Sequence, residues 1–372
     1  MTTMTAQTDP ESGGVRLTAG ERSRVLHPIW LRERATDPER FDPVNRQRLF
    51  EPPELPLALR VTDATQTDAD TLHLTFSDGE TVDLSRTALA RELNWDADPQ
   101  RPPAAEPWDA GHPPRPEASW PRLGDPAVMQ HVLGGLFRHG FAVLRDTPTS
   151  QGSLNDLART FGFIRDTNFG PLFDVVTKPQ PIDLAYTGRP LSAHADNPYR
   201  KPIPGIQLLH CLANTVEGGF STLVDGFAVA RRIERETPEL FDALTGTPVR
   251  FRYEAGTSIM ENWGPLVELD DAGDLVRVRF STRVDYVPAH DPAHLDRYYR
   301  ARQRFHELAN DAAFQIQYTF EPGMLLVMDN HRILHGRTGF DHTAGHRHLQ
   351  GCYIDHDGPD SLYRVLARDG AL

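Results

Sequence analysis

The sequence predicts a mainly β protein with flanking helices, in which a closed or sandwiched antiparallel core follows a small N-terminal α+β domain. Three observations carry this. Beyond residue 174 the chain is a succession of short strand-like runs separated by turn signals, broken by helical stretches near 227–245 and 291–310. The stretch 96–119 holds seven prolines (99, 102, 103, 107, 113, 114 and 116) and almost no aliphatic residues, which reads as a linker. The total of 372 residues exceeds what one ordinary core serves.

The elements follow in order. Residues 1–14 are polar and are expected to be a disordered lead-in to an accessory domain over 15–95. Within it, Leu72, Leu74 and Phe76 alternate toward Asp78-Gly79, and Val82 and Leu84 alternate away, the pattern of a β-hairpin. "SRTALARELN" then reads as a short helix. After the linker, Asp125 and Pro126 suit the N-cap and first turn of a helix running to Gly140. "FAVLR" (141–145) is a buried-strand pattern and "SLNDLARTFGF" a second helix. The last strands are "AFQIQYTF", "GMLLVMD", "ILHGR" and "LQGCYID".

Composition narrows the function. The longest apolar runs, such as "MLLVM" at 324–328, fall far short of a bilayer span. The polar N-terminus has no basic flank and apolar segment, so no secretory signal is expected and cytoplasmic residence fits. A net charge of −13 with no basic run argues against nucleic-acid binding. Two cysteines, Cys211 and Cys352, support neither a disulfide framework nor a cysteine-rich zinc module.

The chemistry starts from "LSAHADNPYR". His-x-Asp arises by chance about once in a chain of this composition, so the pair alone means little. A second copy, His294 and Asp296, lies in a helical pattern whose residues two apart point in opposing directions. His194 and Asp196 instead follow the strand-like "DLAYT", where residues two apart share a face and can grip one ion. A third ligand is needed. Of the C-terminal histidines 331, 335, 342, 346, 348 and 356, the group 342, 346 and 348 lies in or beside a polar loop and reads as solvent-exposed. His335 sits in "ILHGR" beside an apolar strand, the rigid wall a metal site requires, with His331 the next candidate. Two imidazoles and a carboxylate form the facial triad of non-heme Fe(II), leaving positions for a chelating 2-oxoacid and O2. Arg347 can meet the far carboxylate of that co-substrate as a bidentate fork, with Arg337 the alternative.

At this point the text "DLAYTGRPLSAHADNPY", "PGIQLLHCLANTVEGGFSTLVDGF", "EPGMLLVMDNHRILHGRTGF" and "RHLQGCYID" resembles the γ-butyrobetaine/trimethyllysine hydroxylase branch of the taurine-dioxygenase-like superfamily. The blocks cover most of 120–372, and "HPIWLRER" resembles that branch's accessory domain. The resemblance implies a double-stranded β-helix, or jelly-roll, catalytic domain. It implies Fe(II) on His194, Asp196 and His335, 2-oxoglutarate on Arg347 beside Thr222, and a homodimer. It places the substrate against Phe169, Phe173, Tyr186 and Tyr353, which would cage a trimethylammonium group.

The chain also departs from that branch. The cysteines by which some relatives hold an accessory-domain zinc are missing, so no structural zinc is expected. Phenylalanines stand at two cage positions, Asp183 replaces an asparagine before "LAYT", and Ser281 replaces one that touches the substrate carboxylate. Hydroxylation of a small betaine-like cation such as γ-butyrobetaine is therefore the leading expectation. The same cofactors on another small metabolite, with hydroxylation, desaturation or C–N cleavage, form the alternative. The rival from another class is a noncatalytic cupin-like binding protein. No Gly-x-Ser-x-Gly or His-Glu-x-x-His run supports a hydrolase.

Overall fold

The structure is a computed structural model and describes residues 4–176, 189–341 and 345–369. It divides into two compact units, the first ending at Asp98 and the second beginning at Pro99. In the first, Met4–Thr8, Val15–Ala19 and Arg22–Leu26 form one antiparallel sheet, and Val61–Gln66, Thr71–Phe76 and Thr81–Ser85 another. The expected hairpin is the second pair of the latter. Leu72, Leu74, Phe76, Val82 and Leu84 are all buried, while Gly79 takes φ 88°, the left-handed conformation its turn requires. Ser85 caps the helix Arg86–Glu92 by accepting from the Ala88 N–H at 3.1 Å.

Two expectations need correction. The polar lead-in is not disordered from residue 4 onward: Met4–Thr8 pairs with Val15–Ala19 through the backbone. The intervening turn is held by Asp9, which accepts from Ser12 N–H at 3.0 Å. Backbone pairing needs no apolar alternation, which is why composition concealed the strand. The proline-rich stretch is not a free linker either. From Pro99 on it belongs to the second unit, where Trp108 is buried and its indole donates to His139 O at 2.8 Å.

The core of the second unit is built from strands β1 (Glu117–Ser119), β2 (Phe141–Arg145), β3 (Phe173–Val176), β4 (Leu191–His194), β5 (Ile206–Asn214), β6 (Ser221–Asp225), β7 (Gln315–Tyr318), β8 (Leu325–Asp329), β9 (Ile333–Arg337) and β10 (Arg347–Ile354), with two smaller sheets of three and two strands inserted between Val249 and Tyr286. Its helices are α1 (Pro126–His139), α2 (Ser153–Arg159), α3 (Gly226–Glu236), α4 (Pro238–Gly246), α5 (Pro292–Ala309) and α6 (Asp357–Arg368), the last not anticipated. One sheet has the order β1-β2-β8-β5-β10-β3, the other β4-β9-β6-β7. Apart from the parallel β1–β2 contact their pairings are antiparallel, giving the two-sheet jelly-roll core. Phe141, Val143, Leu209, Leu326 and Leu349 of the larger sheet meet Leu223 and Ile333 of the smaller in one apolar cluster between the two.

Helix α1 shows why the outer layer packs as it does. Met129, Val132, Leu133 and Leu136 recur at helical spacing and are buried against β2, β5 and β8. Asp125 caps its start and Gly140, at φ 80°, ends it. In α5, His294 bonds Thr247 Oγ1 at 3.0 Å and Asp296 pairs with Arg300 at 3.0 Å, so the second His-x-Asp pair is structural, its members separated as the helical reading requires. No helix among the described residues is long and apolar enough to cross a membrane.

One ion pair ties this unit together. Asp225, at the end of β6, and Arg332, just ahead of β9, are 0% and 2% exposed. The carboxylate accepts from Arg332 Nη2 at 2.7 Å and Nε at 3.0 Å, from Trp108 N at 3.0 Å and from Phe227 N at 2.9 Å. The guanidinium also donates to Arg138 O at 2.8 Å and Glu106 O at 2.9 Å. Removing one partner of such a pair leaves a buried charge and costs about 3–5 kcal/mol. Asp225→Ala is therefore expected to lower stability by that amount in chemical denaturation. An unchanged midpoint would show that the pair is dispensable.

Candidate metal centre and active site

The two strands that carry the paired histidines are neighbours in the smaller sheet. β4 runs antiparallel to β9, and His194 lies opposite His335, their ring centroids 4.5 Å apart. The seam is close: a Cβ on Gly336 would meet Leu191 O at 2.5 Å and Thr222 Oγ1 at 2.8 Å, so only glycine fits beside His335. Just past β4 the chain turns and presents Asp196. Its Oδ1 lies 3.5 Å from His194 Nε2 and 3.9 Å from His335 Nε2. Ligands around a single octahedral ion stand about 3 Å apart, given metal–ligand distances near 2.1 Å, so a small contraction closes the three on one ion.

The surroundings prepare each donor. His194 Nδ1 faces Ser192 O at 2.9 Å; a proton there leaves Nε2 a lone pair toward the carboxylate. Burial lowers the His335 imidazole to about 4, its charge favoured by Asp196 but not enough to offset desolvation, so it is a neutral donor at neutral pH. Burial pushes the Asp196 carboxyl up, but His335, His194 and the Tyr353 hydroxyl outweigh it and hold the group well below the usual carboxylate range. The outer oxygen, Oδ2, accepts from Gln207 Nε2 at 2.7 Å and Tyr353 Oη at 2.8 Å. Asn330 fixes the backbone: its Oδ1 accepts from Asp196 N–H at 2.7 Å and its Nδ2 donates to Asp196 O at 3.0 Å. Gln207 and Asn330 escaped the sequence reading. A glutamine inside the apolar run "GIQLLHC" was the available signal.

His194, Asp196, His335 and Gln207 line one cavity between the sheets. Arg347, Thr222, Phe169, Phe173 and Tyr353 also line it. Arg347 opens β10, is 6% exposed, and has no carboxylate within ion-pair distance among the described residues. Burial lowers its pKa, which marks an uncompensated buried cation. Its Nε, Thr222 Oγ1 and the hydroxyl of Tyr318, another lining residue, have no hydrogen-bond partners among the described residues. Three such polar groups on one cavity, contributed by both sheets, suit a small oxygen-rich anion such as 2-oxoglutarate.

The aromatic residues come from several elements. Phe173 lies 5.3 Å from the Tyr353 ring between centroids and its ring tip reaches Gly351, where a Cβ would meet it at 2.4 Å. Phe169 packs edge-on to Tyr253 at 5.9 Å, and Tyr199, not foreseen, also lines the cavity. Arg200 sits 5.8 Å from the rings of both Phe169 and Tyr199, so part of that aromatic surface already faces an internal cation. Tyr186 and Asp183 lie outside the described residues. Ser281 is buried but does not line the cavity, whereas Arg283 lines it. Arg337 lines the cavity too, its guanidinium facing Arg189 O at 3.3 Å. His348, expected in solvent, is half-buried in β10 and bonds Asp174 at 2.8 Å.

Comparison with known proteins agrees with this geometry. Residues 103–353 match the taurine catabolism dioxygenase TauD, TfdA family, and the chain belongs to that family. The gamma-butyrobetaine dioxygenase of Pseudomonas sp. (strain AK-1) is 34% identical over 369 residues, covering 96% of this chain and 94% of that protein. The Homo sapiens gamma-butyrobetaine dioxygenase is 32% identical over 240 residues (63% of this chain, 62% of that protein). The trimethyllysine dioxygenase of Meyerozyma guilliermondii is 32% identical over 237 residues (62% and 58%). The chain is a dioxygenase that depends on non-heme iron and 2-oxoglutarate.

Groups that orient a metal ligand typically account for about 10–100-fold in metal affinity or activity. Gln207→Leu is expected to weaken Fe(II) binding by that factor in an anaerobic titration while the fold persists. Unaltered affinity would leave Tyr353 as the sole orienting partner of Oδ2.

Proposed function

We propose that this dioxygenase hydroxylates an unactivated C–H bond of a small, cationic, betaine-like acid, with γ-butyrobetaine the first candidate. One oxygen atom of O2 enters the new hydroxyl and the other enters succinate, and CO2 leaves from 2-oxoglutarate. The observation that carries the reading is the shared cavity: a His₂-carboxylate set and an uncompensated buried arginine stand on its walls.

In this reading His194, Asp196 and His335 hold Fe(II), which supplies the open coordination positions and electrons that O2 activation needs. Gln207, Tyr353 and Asn330 keep Asp196 ionised and aimed at the ion. Arg347 takes the distal carboxylate of 2-oxoglutarate, with the hydroxyls of Thr222 and Tyr318 beside it. Phe169, Phe173 and Tyr353, joined by Tyr199, offer ring faces to the cationic end of the substrate and keep water from the reacting carbon. Asp183 and Tyr186 are assigned to the same pocket by resemblance alone. The similarity to gamma-butyrobetaine and trimethyllysine dioxygenases supports a quaternary-ammonium substrate. We extend the proposal to a homodimer, as the resemblance implies, and to cytoplasmic residence, as the sequence reading suggests.

Arg347→Ala leaves the co-substrate carboxylate unpaired in a buried site, a loss of about 3–5 kcal/mol. That corresponds to about a hundredfold to several thousandfold in the 2-oxoglutarate concentration needed for half-maximal turnover, at roughly 1.4 kcal/mol per tenfold. An unshifted requirement would transfer the role to Arg337. The cation is tested by turnover of γ-butyrobetaine against an isostere in which tert-butyl replaces trimethylammonium. Each cation–π contact contributes about 0.5–2 kcal/mol, so the charged compound should win by tenfold or more. Equal turnover would reduce the aromatics to an apolar wall.

A further inference from the structure

A second His₂-carboxylate group lies outside the catalytic cavity. Asp329 ends β8, His331 follows it in the turn to β9, and His356 stands at the N-terminus of α6. One donor atom from each comes within 4.8 Å of the other two. His356 Nε2 lies 3.0 Å from Asp329 Oδ1, about the separation of two donors sharing one ion at 2.0–2.2 Å. The His331 and His356 rings are 4.6 Å apart at their centroids. Gly205 makes room for this arrangement, since a Cβ there would meet His356 Nδ1 at 2.6 Å.

We propose that Asp329, His331 and His356 form a binding site for a borderline divalent ion of the zinc type, with water completing its coordination. The donor set is one that zinc accepts, three protein ligands with an open position. The side chains of His356 and Asp329 are 37% and 25% exposed, so an ion can enter and keep a water. His331 makes only a weak contact elsewhere, Nε2 lying 3.4 Å from Ile203 O, and releasing it costs little.

The position gives the ion a route to the active site. Asn330, between two of the proposed ligands, is the residue that clamps the backbone of Asp196 through both N–H and C=O. An ion bridging β8, the turn and α6 holds that clamp from both sides.

The full chain is loaded with Zn(II), dialysed, and its metal content measured. Two equivalents are expected for the natural chain, one at each group. His335→Ala and His356→Gln should each retain one, and the double variant none. Iron-dependent turnover should persist in His356→Gln and vanish in His335→Ala, which separates this site from the proposed catalytic one. Zinc should also raise the melting temperature of His335→Ala but not of the double variant. One equivalent in the natural chain, or two in His356→Gln, overturns the proposal. If His356→Gln does not fold, His331→Gln replaces it, and retention of both ions there overturns it equally.

Discussion

The catalytic unit depends on a buried arginine that has no part in the chemistry. Arg332 and Asp225 sit at the mouths of adjacent strands, β9 and β6, and those strands carry His335 and Thr222. A charge pair this deep is expensive to desolvate and holds only if every remaining donor and acceptor is used. Here backbone groups from Glu106, Trp108, Arg138 and Phe227 complete the set. The interaction therefore locates four segments against one another rather than adding much net stability. It also gives β9 a fixed starting point three residues before the histidine that meets His194 and Asp196.

The active site inverts that logic. There the polar groups are deliberately left short of partners. Arg347, Thr222 and Tyr318 line the cavity with polar atoms that have no partner among the described residues, while Asp196 has its outer oxygen and both backbone groups committed. Committed groups resist rearrangement, and uncommitted ones favour a ligand that completes them. In the proposed function, the division separates the groups that hold Asp196 from the groups assigned to the co-substrate.

Much of this was legible in the sequence. Helix α1 announced its cap, its apolar stripe and its terminal glycine, and the hairpin at 71–85 announced its turn, because local propensity and burial agreed there. Helical periodicity set the pair His294 and Asp296 aside, but His194 ends its strand and Asp196 is presented by the turn after it, so the extended spacing assumed for that pair is not what brings the two together. What stayed hidden depended on partners far away in the chain. Trp108 looked like part of a tether because nothing local says that its indole is buried 31 residues from the carbonyl it meets. Gln207 and Asn330 gained their roles only from strand register, and Met4–Thr8 from backbone pairing that side chains do not report. Ser281 was placed by analogy, and burial without access to the cavity is what the fold gives that position.

The route of the chain has a consequence for how the enzyme is made. Glu106 and Arg332 meet across 226 residues of sequence, and Arg138 and Arg332 across 194. Contacts so remote must first overcome the entropy of closing the loop, so folds built on them form slowly and late. During synthesis the chain emerges N-terminal end first. His194 and Asp196 exist long before β9 does, and β9 has no fixed starting point until Arg332 finds Asp225. The last of the three proposed donors to be made is thus the one delivered by the closing of the whole unit, and under that proposal the complete metal site exists only once the unit has closed.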